Sequence, residues 1–310
     1  MGHQANRDPE DGIVILKQTE PMMCGGTDAY QDTHAPKEIL SEDMILFDVT
    51  TAFGGVVCPE EDRAAAALAY LSAFAVPAES GTFLYLETAQ DDYGDHAIAW
   101  ALVTEPVFPT LVTLTREHDL ARRNGYHSET HGLPQNFGGS VRIRYAGGEA
   151  ISFSDNQCPI LSPKTGRAIA AAFEQAMAGP RAALPDVSTL TAIRFAEERD
   201  GGGFTRATLT LLPDGTGINA KASRYDDPTV YENEQPVDAE TVAAIKRTVE
   251  LCGLLAWDGV PDSGFALAQN KTLTFVFADG REITALSDRL LPYAIQNGFF
   301  KIELEISTKH

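Results

Sequence analysis

The sequence predicts an α+β protein made of two tandem, structurally related units, each an antiparallel sheet packed against one or two helices. Three observations predict it. Residues 139–173 read as a hairpin followed by a helix. A weaker copy of that stretch occupies residues 271–297. Upstream of both, the order strand, strand, helix recurs. A sheet with one apolar face must bury it against a second layer, and helices in the same unit supply that layer.

The first hairpin rests on alternation. Val141, Ile143 and Tyr145 alternate with Arg142 and Arg144, which puts the apolar set on one face of a strand. Gly147 and Gly148 provide a tight turn, and Ile151 and Phe153 continue the pattern on the return strand. In the copy, Leu273, Phe275 and Phe277 lead into Asp279-Gly280 and then Ile283. Tyr145 to Phe277, Gly148 to Gly280 and Ile151 to Ile283 all lie 132 positions apart. Ser154-Asp155 and Ser287-Asp288 follow at 133, a one-residue slip. Upstream, Glu105-Pro106-Val107 matches Gln235-Pro236-Val237 at 130, and TFLYLE at 82–87 matches TLTLLP at 208–213.

In chain order, residues 1–36 form a polar N-terminal segment, with one apolar run at 13–16 that is suited to a sheet edge. The first unit spans 37–180. It opens with a strand at 44–51, rich in β-formers. Residues 59–76 then read as a helical insertion: proline first, acids in the first turn, alanine and leucine inside. Strands at 82–87 and 97–103 and a helix at 107–123 follow. A loop with histidines precedes the hairpin, and the helix at 164–177 buries Ile169, Phe173 and Met177. Gly179-Pro180 and Leu184-Pro185 mark the linker.

The second unit spans 188–310. Strands are expected at 190–196, 205–212 and 216–222, with Pro213-Asp214-Gly215 as a turn. A polar loop at 226–235 leads to a helix at 239–255, then to the second hairpin. Phe300, Ile302, Leu304 and Ile306 alternate, so the last segment, 299–306, reads as a strand.

Composition narrows the function classes. The 310 residues carry a formal net charge of −20, with 44% hydrophobic and 22% charged residues. Such a chain repels phosphate backbones and anionic lipid surfaces, which argues against nucleic-acid and membrane partners. The four cysteines are far apart and form no C-x-x-C pair, and no secretory leader or apolar run of membrane-spanning length is present. A reduced, cytoplasmic protein is the expectation.

The densest ionisable group is His118, His127 and His131 with Asp155 downstream. Imidazole nitrogens with an orienting carboxylate could hold a divalent metal such as zinc, and this set is the candidate metal site. Its spacing matches no helical metal motif. Asp91, Asp92, Asp95 and His96 make an acidic turn without the spacing of a calcium loop. Cys158 lies in a loop rather than at a helix N-terminus, which disfavours a low-pKa nucleophile. No phosphate-cradling glycine loop occurs. No reactive cluster is common to both units. The sequence therefore favours a non-enzymatic binding or interaction scaffold for a small molecule or protein, without a cofactor, and the cleft between units is the default ligand location. The alternative is a metal-assisted hydrolase using the histidine set.

Overall fold

The computed structural model describes residues 13–17, 26–53, 68–90, 95–131, 138–199, 202–225, 228–257, 270–286 and 292–308. The chain divides into two compact units: Met1–Pro77 with Gly81–Arg181, and Ala78–Ser80 with Ala182–His310. The fold is α+β, with two mostly antiparallel sheets and four α-helices among the described residues. No described helix is long and apolar enough to cross a membrane.

The first unit holds strands β1 (Ile13–Lys17), β2 (Thr27–Asp32), β3 (Met44–Ala52), β4 (Tyr70–Ala78), β5 (Gly81–Ala89), β6 (Ala97–Val103), β7 (Tyr126–Thr130), β8 (Gly139–Tyr145) and β9 (Ala150–Asp155), with helices α1 (Phe108–Glu117) and α2 (Pro163–Met177). Its sheet runs β1-β2-β7-β9-β8-β3-β4-β5-β6. Among the described strand pairs only β7 and β9 are parallel, through His127 with Ser154 and Ser128 with Asp155. Helix α2 starts where Ser162 accepts from the Thr165 amide and proline takes the first helical position. It lies against β5 and β6, while α1 lies against β3. Between helices and sheet are Phe47, Leu111, Val141, Ile143, Ile169 and Phe173, all buried, and the Phe47 and Phe173 rings are 5.9 Å apart.

The second unit holds β10 (Leu190–Glu198), β11 (Phe204–Leu211), β12 (Gly217–Arg224), β13 (Tyr231–Val237), α3 (Ala239–Leu251), β14 (Asn270–Phe277), β15 (Glu282–Leu286) and α4 (Tyr293–Glu303). Its sheet runs β13-β12-β11-β10-β14-β15. Read from the other end, that order is the order β9-β8-β3-β4-β5-β6 of the first unit. The detail agrees too. Gly148 and Gly280 both take positive φ, 93° and 84°, and each donates its amide to a carbonyl three residues back, of Tyr145 and Phe277, at 3.0 Å. The β3–β8 ladder shifts register between Met44 and Leu46, and the β10–β14 ladder shifts between Leu190 and Ala192. Both shifts fall at the end of the ladder next to the hairpin turn, where an irregularity increases local twist.

Five expectations change. Residues 70–76 are strand, not the end of a helical insertion; residues 59–67 lie outside the described residues. Leu71 through Val76 are all buried, so both faces of β4 are covered and the alternation that marks a half-buried strand is missing. The C-terminal stretch is helical: α4 runs on as a π-helical turn, Leu304–Thr308. Ile295, Phe299, Ile302 and Ile306 face the core at helical spacing, while Phe300 and Leu304 are exposed. The expected loop at 226–235 contains most of β13, and His127 stands in β7 rather than in a loop. Finally, TFLYLE forms much of β5 and TLTLLP the end of β11, and these strands take different places in the two sheets.

Two glycines separate crowding from backbone strain. A methyl on Gly139 would sit 2.0 Å from the Thr50 carbonyl oxygen, whereas one on Gly148 meets nothing within 4 Å. Urea unfolding should show Gly139→Ala destabilised by about 3 kcal/mol, the upper range for overpacking. Gly148→Ala should lose only about 1 kcal/mol, from its positive φ. Equal losses would mean the β3–β8 contact is looser than described.

Candidate functional site

The sequence-derived metal set is placed first. His118 caps the C-terminus of α1, and its Nδ1 lies 3.2 Å from the Thr165 hydroxyl. His127 Nδ1 is 2.9 Å from the Ser154 hydroxyl, with the ring stacked on Tyr30. Partial burial pulls its pKa below the usual value, against the opposing charge of Asp32. His131 is exposed, with Nε2 at 3.1 Å from Asp28 and Nδ1 at 3.7 Å from Glu129. Asp155 is buried and accepts the backbone amides of Gln157 and Cys158 at 2.8 and 2.9 Å, closing the turn after β9. Each member thus serves a local partner. Among the described residues no three or more His, Cys, Asp or Glu are placed to hold a metal ion.

A polar cluster that the sequence reading missed lies on the other face of the first sheet. Asp48 on β3 stands opposite Arg142 on β8 and accepts from its Nε at 2.7 Å. Along the same face, Thr50 and Ser72 place their hydroxyls 3.3 Å apart. On β5, Glu87 accepts from the Tyr85 hydroxyl at 2.6 Å, and the His96 ring nitrogen lies 2.5 Å from its other oxygen. Tyr70 packs its ring on His96 at 5.1 Å. Burial pushes Asp48 up to about 6 despite the guanidinium. Burial, then the neighbouring Glu87 and Asp48, pushes Tyr70 up to about 12. The signal available in the sequence was a lone carboxylate inside an apolar strand, Asp48 in MILFDVTT and Glu87 in TFLYLE. The acidic turn contributes only His96 here; Asp91 and Asp92 lie outside the described residues. Chemically, burial raises the proton affinity of Asp48, while Glu87 accepts from the Tyr85 hydroxyl and contacts the His96 ring.

The second unit has a different polar group on its helix-covered face. Glu197 accepts from Arg199 at 2.6 Å and lies 3.5 Å from Lys271, whose ammonium donates to Glu303 at 2.6 Å. Glu197 pairs with Lys271 across β10 and β14; at the corresponding register in the first unit, Thr51 pairs with Gly139. The two clusters share no position.

The opposite face of the second sheet is open. Thr191, Arg194, Glu198, Arg206, Thr210, Ile218 and Ala220 are exposed along it. Near the β13 edge, a shallow groove of about 390 Å³ is lined by Arg206, Thr208, Ala220, Ala222, Glu232 and Glu234, with Lys221 and Asn233. Register sets its shape. Glu232 stands beside Ala222 and then Arg206, and Glu234 beside Ala220 and then Thr208. Small side chains on β12 make the floor, and charged ones rise on either side.

The buried aspartate makes a prediction about stability. Its folded pKa, about 6, exceeds the ordinary value of 3.8, so the folded state binds the proton more tightly. Its contribution is fully present below pH 3.8 and is lost as pH rises through 6. At about 1.4 kcal/mol per unit the span is roughly 3 kcal/mol. Urea unfolding between pH 4 and 7 should show Asp48→Asn gaining stability relative to the parent as pH rises. A constant difference across that range would contradict the raised pKa.

No family model and no curated protein matches this chain.

Proposed function

We propose that the chain is a non-catalytic binding scaffold, one sheet-and-helix unit written twice, whose ligand-bearing surface is the open face of the second sheet. The groove beside β13 carries this reading: a floor of alanine and threonine flanked by arginine and glutamate is built for contact rather than for reaction. The shared strand order and the matched turns at Gly148 and Gly280 support a common origin of the units. The polar clusters support the rest. They differ in position and membership, so neither is the remnant of a reaction centre present in both copies. A cytosolic setting belongs to the same proposal, since the thiols of Cys158 and Cys252 are free.

The competing reading is a metal-assisted hydrolase using His118, His127, His131 and Asp155. Elemental analysis of the purified full chain, beside His127→Ala and His131→Ala, separates the two. The scaffold reading expects no stoichiometric metal in any of the three proteins. Stoichiometric zinc in the parent that is lost in both variants would overturn it.

A further inference from the structure

We infer that strand β13 is a docking edge for a basic, extended segment of a partner protein, which adds to the second sheet as a further strand. This names the partner class for the scaffold reading above and rests on it. Strand β13 pairs with β12 alone among the described strands, so its far side is a sheet edge. Such an edge offers a row of backbone donors and acceptors to an incoming chain. Tyr231, Glu232, Asn233 and Glu234 are all exposed. Pro236 sits near the end of the strand and brings no amide hydrogen, which confines strand addition to the residues before it.

Charge selects the occupant. Glu232 and Glu234 are two residues apart on one strand and so point to the same face. Among the described residues neither carboxylate has an ion-pair partner, and their cross-strand neighbours are Ala222 and Ala220. The guanidinium lining the groove is already committed, because Arg206 donates to Glu198 at 2.8 Å. Lys221, which also lines the groove, stands opposite Asn233. An added strand therefore meets two free carboxylates at alternate positions. Lysine or arginine at alternate positions complements them, as opposite charges do across a ladder. A second copy of this chain is the wrong occupant. Pairing β13 with itself in antiparallel fashion about Asn233 would set Glu232 against Glu234 of the other copy, and like charges directly opposite repel. The net charge of −20 points the same way, since it attracts cationic segments and opposes self-association.

The test uses the full chain and three synthetic peptides of equal length, followed by fluorescence anisotropy at low and moderate salt. One alternates lysine with valine, one alternates glutamate with valine, and one is the lysine peptide with N-methyl groups on alternate backbone amides. The lysine peptide should bind, and weaken as salt rises. Its affinity should fall at least tenfold on N-methylation and in the double variant Glu232→Lys, Glu234→Lys, which should instead take up the glutamate peptide. The substituted side chains are exposed, so the fold should be retained; unchanged circular dichroism checks this. Equal binding of the N-methylated peptide, or of the lysine peptide by the reversed variant, would overturn strand addition at β13. A random peptide library panned on the parent and on Ala220→Trp separates the two levels of the proposal. If the lysine peptide fails but panning yields peptides that Ala220→Trp does not bind, the docking edge is wrong and the groove reading stands. If neither yields a ligand, both fall.

Discussion

The pairing of a central strand in each unit with a distant hairpin is the contact on which everything else depends. Strand β3 must find β8, and β10 must find β14, before either sheet has a centre. The Asp48–Arg142 contact spans 94 residues of chain, so this step carries a large loop-closure cost and makes the topology one of high contact order. The hairpin turns at Gly148 and Gly280 lower that cost by forming locally and offering a prebuilt two-strand edge. Helices α2 and α4 follow directly in sequence; α2 lies against β5 and β6, and the turn that continues α4, Leu304–Thr308, lies against β11 and β12. Gly139 shows how tight the closure is: its Cα lies where no side chain fits against the Thr50 backbone.

Given one strand order, the units differ in what happens on the second face. In the first, Asp48, Ser72, Phe74, Val76, Phe83 and Tyr85 are buried there, so polar groups must satisfy one another. The Asp48–Arg142 and Glu87–Tyr85–His96 contacts do this, and the displaced ionisations of Asp48 and Tyr70 register the desolvation. In the second, the same face carries threonine, alanine, arginine and glutamate in contact with solvent. There Glu232 and Glu234 are exposed, without an ion-pair partner among the described residues.

The sequence made some of this legible for physical reasons. Both hairpins announced themselves because half-buried strands alternate and Gly-Gly or Asp-Gly marks the turn. Strand β4 was hidden because a strand covered on both sides reads as a run of small and apolar residues, which a helix also tolerates. The C-terminal helix was ambiguous for another reason. Ile302 and Ile306 belong both to a period-two series with Phe300 and Leu304 and to a helical series with Ile295 and Phe299, and only packing chooses. Strand β13 looked like a loop because an edge strand facing solvent can be polar throughout. The histidines drew notice by residue type, yet type says nothing of convergence, and each found a partner within its own strand pair or helix end. Asp48 and Glu87 were quieter signals with larger electrostatic consequences.

The unequal exposure of the second face also bears on how freely each half can change. Every position of β4 between Leu71 and Val76 is constrained from one side or the other, so the inner strands of the first unit offer evolution little slack. In β11 and β12 alternate positions are open or partly open to solvent, and a new surface can arise there without disturbing the core. One half of the molecule is thereby held to its architecture while the other is left open to acquire new specificities.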